Sequence, residues 1–395
     1  MFDRKSFFFI LKYYRLMKIF RGEYIWLDGY NELRSKTKIV KSNTSFIPDS
    51  LETIFTTWNY DGSSTHQAST EKSEVHLKPV LILKDLNRSK NNNYNLPILD
   101  YLILCETYLD SETLIPHPSN TRYAANLIMT KYISEKPLFG IEQEFFLFSN
   151  ETGRPVDWTP DYISKAERDK EEEGSATLSD KSTFPSYTLK HEKNGSERHY
   201  CGVGAGKVSS RAALENVVNE ALSLGFNITG MNYEVAPGQA EIQICEEGIK
   251  AADHLTILRY ILIREMERSN MRVDISSKPI KNGDWNGSGC HVNFSTEKMR
   301  LPGGYSEILK AMPKLEAKHA EHIQCYGDDN AERLTGKNET SSMDKFSYGL
   351  GNRGASIRIP TAVPGLGCGY FEDRRPSSSM DPYKVTSKLV ETVCE

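Results

Sequence analysis

The feature that most limits how this chain can fold is a set of short segments whose reactive side chains fall on alternate positions. They are Glu142-Gln143-Glu144, Glu241-Ile242-Gln243-Ile244, His291-Val292-Asn293-Phe294-Ser295, Ser356-Ile357-Arg358-Ile359 and Tyr370-Phe371-Glu372-Asp373-Arg374. Successive side chains of a β-strand point to opposite faces, so each segment, read as a strand, sends its polar groups one way and the others the opposite way. Any one of them reads most simply as a half-exposed antiparallel strand with a wet face. Solvated strand faces, however, are usually rich in lysine and threonine, whereas these carry glutamate, histidine, asparagine and arginine. Taken together they predict a sheet that lines a polar cavity.

The residue types suggest what such a cavity would hold. Glu142, Glu144, Glu234, Glu241 and Glu372 supply hard carboxylate oxygens and His291 one imidazole, a donor set suited to Mg²⁺ or Mn²⁺. Arg333, Arg353, Arg358 and Arg374 offer planar forks for phosphate and carboxylate. Divalent ions beside arginines are what phosphoryl transfer needs, because positioning and charge neutralisation carry most of its catalysis.

Around these segments the chain divides unevenly. From residue 23 to about 104, β-rich runs such as Tyr24-Ile-Trp-Leu27, Val80-Leu-Ile-Leu83 and Ile98 to Leu104 alternate with polar turns at Asp28-Gly29, Asp61-Gly62 and Lys90 to Asn95, which predicts a small sheet domain. The stretch from Asp110 to Asn120 is the expected boundary, giving domains of 23–110 and 111–395. The basic segment ahead of them, residues 1–22, is expected to be a helical arm. Its apolar run Phe7 to Leu11 is too short to span a bilayer, and with no alanine, little serine and no evident processing site it reads less well as an organelle address. Helical spacing marks Arg211 to Leu224, Asp253 to Ser269 and Ser306 to Tyr326. Residues from about 157 to 199 are charged and poor in core formers, and read as an exposed excursion.

Composition excludes several functions. With 49 basic and 53 acidic residues spread along 395 positions, the net charge of −4 leaves no electrostatic footprint for nucleic acid or an anionic membrane. The seven cysteines are scattered without a Cys-x-x-Cys pair, which favours a reducing, cytoplasmic setting and argues against zinc. Two motifs are decoys. Cys201-Gly-Val-Gly-Ala-Gly-Lys207 has neither the Walker spacing nor that of a dinucleotide loop. His319 and His322 have a metal-like gap, but are expected to be ordinary packed or exposed histidines.

The motifs as a set resemble the glutamine synthetase family of the eukaryotic type, in order and across nearly the whole chain. The resemblance rests on Glu23 to Gly29, Trp58-Asn-Tyr-Asp-Gly-Ser-Ser64, Phe139-Gly-Ile-Glu-Gln-Glu144 and Asn286-Gly-Ser-Gly-Cys-His291 with Asn293-Phe-Ser295. Leu334-Thr-Gly to Glu339-Thr, Asn352 to Pro360 and Tyr370 to Pro376 complete it. It implies an α+β fold, with a β-grasp-like N-terminal domain and a larger catalytic domain built on a curved antiparallel sheet flanked by helices. It further implies two stacked pentameric rings, a homodecamer with sites between neighbouring subunits. The implied reaction joins ammonia to the γ-carboxylate of glutamate through γ-glutamyl phosphate, with ATP as phosphoryl donor.

Carried over residue by residue, Glu142, Glu144, Glu234, Glu241, His291 and Glu372 resemble the family's metal ligands. Asn286, Gly287, Arg333, Arg353 and Arg374 resemble the groups that hold glutamate and its phosphorylated end. Asn293, Ser295, Arg358 and Tyr370 resemble the nucleotide contacts, while Asp61 and Glu339 resemble the carboxylates that attract and deprotonate ammonium. Leu138, Ala240 and Asn338 depart from the pattern, standing where the family usually has two tryptophans and a histidine. A catalytically silent homologue kept for assembly or binding is the alternative. Against it, a chain kept for structure alone has no reason to retain five mutually repelling carboxylates. A ligase for another amine or acid would be expected to alter Asp61 or Glu339.

Overall fold

The computed structural model describes residues 17–43, 50–86, 88, 98–158, 199–281 and 285–395. The rest of the expected helical arm, residues 1–16, the expected turn at Lys90 to Asn95 and nearly all of the expected excursion, residues 159–198, lie outside the described residues.

The N-terminal β-rich domain contains β1 (Met17–Leu27), β2 (Leu33–Asn43), β3 (Trp58–Asp61), β4 (Glu74–Asp85) and β5 (Ile98–Tyr108), paired in the order β2-β1-β5-β4-β3. Alternation along β1 and β5 divides their side chains between two buried faces. Phe20, Tyr24 and Trp26 join Phe55, Tyr60, Leu77 and Tyr101 in an aromatic core, while Ile25, Leu102 and Leu104 enter the main core of the molecule. One expectation is corrected here, because residues 17–22, assigned to a helical arm, are the first half of β1. The strand wins because its residues pair antiparallel to β2 and, from Ile19, also parallel to β5, giving the backbone ladder partners on both edges. Phe20 meets the aromatic core, and Arg21 forms an ion pair with the buried Asp100.

The larger part of the chain is built on β6 (Leu138–Ser149), β7 (Ile228–Tyr233), β8 (Gln239–Glu247), β9 (Met271–Asp274), β10 (Cys290–Ser295), β11 (Tyr348–Leu350), β12 (Ile357–Ile359) and β13 (Phe371–Asp373). They form a curved sheet in the order β11-β12-β13-β10-β6-β8-β7, with β9 paired to β6. All pairs are antiparallel except β11 with β12. The described helices are α1 (Thr121–Lys131), α2 (Arg211–Ser223), α3 (Ile249–Arg268), α4 (Glu297–Arg300), α5 (Gly304–Ala317), α6 (His319–Cys325), α7 (Val363–Leu366) and α8 (Pro382–Cys394). Helix α2 coincides with the spacing that predicted it, and α3 begins four residues earlier than expected. The helix expected over Ser306 to Tyr326 is two, divided at Lys318, whose ψ of 10° ends α5.

One face of the curved sheet is apolar. Phe139, Ile141, Ile242, Ile244, Val292, Phe294, Ile357 and Phe371 are buried there in one cluster with Leu255, Leu258, Ile308, Leu315 and Leu389 from α3, α5 and α8. The same face carries a buried polar network just past β13. Arg375 donates to Asp373 through Nε (2.9 Å) and Nη2 (2.7 Å), and Tyr326 Oη donates to Asp373 Oδ2 at 2.6 Å. His322 lies between Tyr326 Oη (2.5 Å) and Thr392 Oγ1 (2.9 Å). Nδ1 of His319 accepts from Arg375 Nη1 at 3.0 Å, so both histidines are spent on packing.

Candidate active site

Strand register turns the alternation seen along the sequence into rows across the other face. One row runs Arg358, Glu372, Asn293, Gly140 over β12, β13, β10 and β6. The next runs His291, Glu142, Gln243, Gly230 over β10, β6, β8 and β7. A third runs Glu144, Glu241, Asn232. These rows floor a cavity of about 470 Å³, walled by loops that bring Glu234, Asn286, Gly287, Arg333, Glu339, Arg353 and Arg374.

Inside it, His291 Nδ1 stands 3.4 Å from Glu142 Oε2 and 3.6 Å from Glu372 Oε1. One ligand atom from each of Glu142, His291 and Glu372 falls within 4.8 Å of the others. Glu144 lies on the other side of the imidazole, its Oε1 3.9 Å from Nε2, and it accepts from Gln239 Nε2 (3.0 Å) and the Gly289 amide (2.8 Å). Gln243 donates to Glu241, Asn232 to Glu234 and Asn293 to Glu142, so amides orient the carboxylates. Gly289 must be glycine, since a Cβ there would come 2.6 Å from both Arg333 Nη2 and His291 Nε2.

Glu372 joins this cluster to the arginines. Its oxygens accept from Arg358 Nη1 at 2.7 Å and Arg374 Nη1 at 2.6 Å. Arg374 also donates to the carbonyls of Arg353 (3.0 Å) and Glu339 (3.2 Å), and Arg353 pairs with the Glu339 carboxylate at 3.2 Å. Arg333 is buried deeper and spends its donors on the carbonyls of Arg374 and Arg375, on Asn330 and on His291 Nε2.

The electrostatics follow from burial. Desolvation raises Glu241 to about 9, with Glu142 and Glu144 adding repulsion. Glu142, Glu144 and Glu234 are also raised, chiefly by burial, and Glu144 further by Glu234. Burial, then Arg374 and Arg333, holds the His291 imidazole neutral. Burial thus disfavours the charged form of these carboxylates, and a cation bound among them would favour it. Hard oxygens, one neutral imidazole and no thiolate fit a magnesium- or manganese-like ion.

Most of the residues anticipated for the site line this cavity. Four do not. Asn293 turns its amide onto Glu142 and the Gly140 carbonyl, and Tyr370 is 42 % exposed. Ser295 is buried and accepts from Arg300 Nη1 through its hydroxyl (3.0 Å) and carbonyl (2.8 Å). Asp61 sits in the N-terminal domain, where hydrogen bonds from Ser63 and Ser64 hold its exposed carboxyl below the usual range. Tyr200, Asn232, Val235, Gln239 and Thr340 line the cavity but were not anticipated. Gln239 was within reach, lying two positions before Glu241 on the same strand face.

A curved sheet with an apolar helix-packed back and a cavity of carboxylates and arginines on its front defines an α+β architecture with a candidate active site on the sheet. The sequence profile of the glutamine synthetase catalytic domain matches residues 120–394. The chain is 42 % identical to the glutamine synthetase of Hebeloma cylindrosporum over 374 residues, covering 94 % of this chain and 92 % of that one. It is 41 % identical over 375 residues to the glutamine synthetases of Tuber borchii and Yarrowia lipolytica, covering 94 % of this chain and 92 % and 90 % of theirs. The chain therefore belongs to the glutamine synthetase family in its eukaryotic form, a family of glutamate–ammonia ligases.

Proposed function

We propose that the chain joins ammonia to the γ-carboxylate of L-glutamate at the expense of ATP, giving glutamine, ADP and phosphate through γ-glutamyl phosphate. The observation that carries this reading is Glu372, shared between the carboxylate–imidazole cluster and Arg358 and Arg374. An ion site and an anion site thereby share one wall. Glu142, His291 and Glu372, with Glu144, Glu234 and Glu241, would hold Mg²⁺ or Mn²⁺. When bound, the ions neutralise the charge of the transferring phosphoryl group.

The remaining work belongs to the chain. Arg353, Arg358 and Arg374 present forks to the phosphoryl oxygens and limit how the acyl phosphate can turn. Asn286, Gly287 and Arg333 hold glutamate so that a γ-carboxylate oxygen faces the phosphorus, with ADP leaving opposite. Of the nucleotide contacts, Arg358 lies in the cavity wall and Asn293 and Tyr370 would act from beside it, while Ser295, buried and bonded to Arg300, would act from behind. Ammonia attacks the acyl carbon and phosphate leaves. Only neutral ammonia has a free electron pair, so a proton must pass from ammonium to a carboxylate, the role of Glu339 and Asp61. Asp61 lies outside the cavity of its own chain, which supports a homo-oligomer, a decamer by the family pattern, in which a neighbour supplies it.

The test uses purified protein with ATP, Mg²⁺, glutamate and either ammonia or hydroxylamine. Glutamine or the γ-glutamyl hydroxamate should form with equimolar phosphate. ATP cleavage that ignores glutamate, or no product with either amine, overturns the assignment.

A further inference from the structure

Glu234 is the one anticipated metal ligand that stands on a turn between strands, β7 to β8, where no ladder holds it. Something else must fix that turn. His199 is 2 % exposed and spans it. Its Nδ1 lies 2.8 Å from the carbonyl oxygen of Glu234, and the amide of Gly238 donates to its Nε2 at 3.3 Å. A carbonyl only accepts and an amide N–H only donates, so this pairing admits the ring solely with its proton on Nδ1. Asp157 Oδ2 comes no nearer to Nε2 than 3.9 Å, beyond hydrogen-bond reach.

The ring is itself held. It stands edge-on to Tyr233 at 5.4 Å and 85°. Its carbonyl accepts from Gly202 at 2.8 Å, and Cys201 donates its amide to the Tyr233 carbonyl at 3.0 Å. Within the turn, Glu234 donates to the Gln239 carbonyl at 2.9 Å, and Gly238 has a φ of +79° with its Cβ position 3.0 Å from the Val156 carbonyl. One imidazole thus ties the first residue of the turn to the fourth after it.

We infer that His199 is a positioning residue that fixes the Glu234 carboxylate at the metal-binding wall by clamping both ends of the β7–β8 turn. The inference rests on the reading of Glu234 as a metal ligand. Groups that orient a ligand typically carry 10- to 100-fold of metal affinity, and about that loss is expected on removing the clamp.

Mn²⁺ binding to the full-length protein, followed through free Mn²⁺ by electron paramagnetic resonance, tests it on four proteins and on the double variant of His199→Phe with Glu234→Gln. They are the parent, Glu234→Gln, His199→Phe, which keeps a ring against Tyr233 without hydrogen bonds, and His199→Asn, which keeps an N–H where Nδ1 stands. His199→Phe should weaken Mn²⁺ about 10- to 100-fold with little change in thermal midpoint, and should raise the Mg²⁺ concentration for half-maximal activity more than it lowers the rate at saturating Mg²⁺. His199→Asn should recover most of the affinity, and His199→Phe with Glu234→Gln should be no weaker than Glu234→Gln alone. Should the phenylalanine protein not fold, His199→Leu takes its place. Unchanged Mn²⁺ binding in Glu234→Gln removes the ligand reading itself. Weakened binding there with parental binding in His199→Phe or His199→Leu leaves that reading standing and overturns the clamp.

Discussion

Glu339 and the residue before it are held in a backbone conformation that side chains other than glycine seldom adopt, with φ of 51° at Asn338 and 60° at Glu339. Two such residues in succession persist only if the surroundings hold them. Arg353 takes the Glu339 carboxylate and Arg374 its carbonyl, so the strained pair is anchored to the arginines of the site. Glu339→Ala is therefore expected to cut glutamine formation by about 10²–10⁴-fold, the usual range for losing a general base, while glutamate-dependent ATP cleavage survives. Parental rates in both assays would remove Glu339 from the mechanism. Glu241 gives a second prediction at this scale. Its folded pKa is about 9, against 4.5 without burial, so between those values the native chain keeps a proton that the unfolded chain has lost. Stability then falls as pH rises through that window. His322 acts in the opposite sense but lower, since burial depresses it to about 3 and its contribution fades only below its ordinary 6.5. Melting of chelator-treated protein between about pH 7 and 9 should show the midpoint dropping with pH. Glu241→Gln should flatten that slope and Mg²⁺ should lift the midpoint most at high pH. A midpoint level with pH in the metal-free protein contradicts the assignment.

At the scale of the element, β13 and its continuation show what alternation achieves. Glu372 and Arg374 face the cavity, and Asp373 and Arg375 face the core, where both are fully buried and paired at 2.7 Å. Removing one partner strands a charge, so Arg375→Met or Asp373→Leu alone should cost about 3–5 kcal/mol, and the double substitution distinctly less. Denaturant midpoints check this, and a double variant as unstable as the sum of the singles refutes the pairing. The alternation itself was legible in the sequence, because it is a property of one segment. What it could not reveal was which segments become neighbours. Asn232 enters the site only because β7 pairs with β8 in a register that sets it beside Glu241. Residues 17–22 read as a helical arm because nothing within the segment shows its two strand partners, β2 from Leu33 and β5 from Ile98. Gln239, by contrast, needed only two more positions of the same pattern. The family motifs brought Asn286 and Gly287 to attention where local sequence would have passed over them.

For the whole molecule, the N-terminal sheet is decisive. Asp61, on that sheet, is absent from the cavity that every anticipated metal ligand lines. If a neighbour supplies it, Asp61→Ala and Glu372→Ala proteins, each inactive alone, should regain activity when dissociated and reassembled together. Random mixing in a ring would leave roughly a quarter of the sites with both residues intact. Mixed assemblies that recover nothing, or an active monomer, would sink the shared site. The sheet is also buried on both faces, since Tyr24 and Trp26 fill its own core while Ile25, Leu102 and Leu104 are part of the catalytic one. The sheet is in this way packed into two cores, and the salt bridges of Arg122 to Glu106 and Asp253 brace the same junction. Swinging the small domain as a lid would have to open both cores, so we expect any rearrangement to be confined to short loops such as the one bearing Glu339. The cost of rearrangement per turnover then falls on a few residues, and the heavier parts of the molecule serve as a fixed frame.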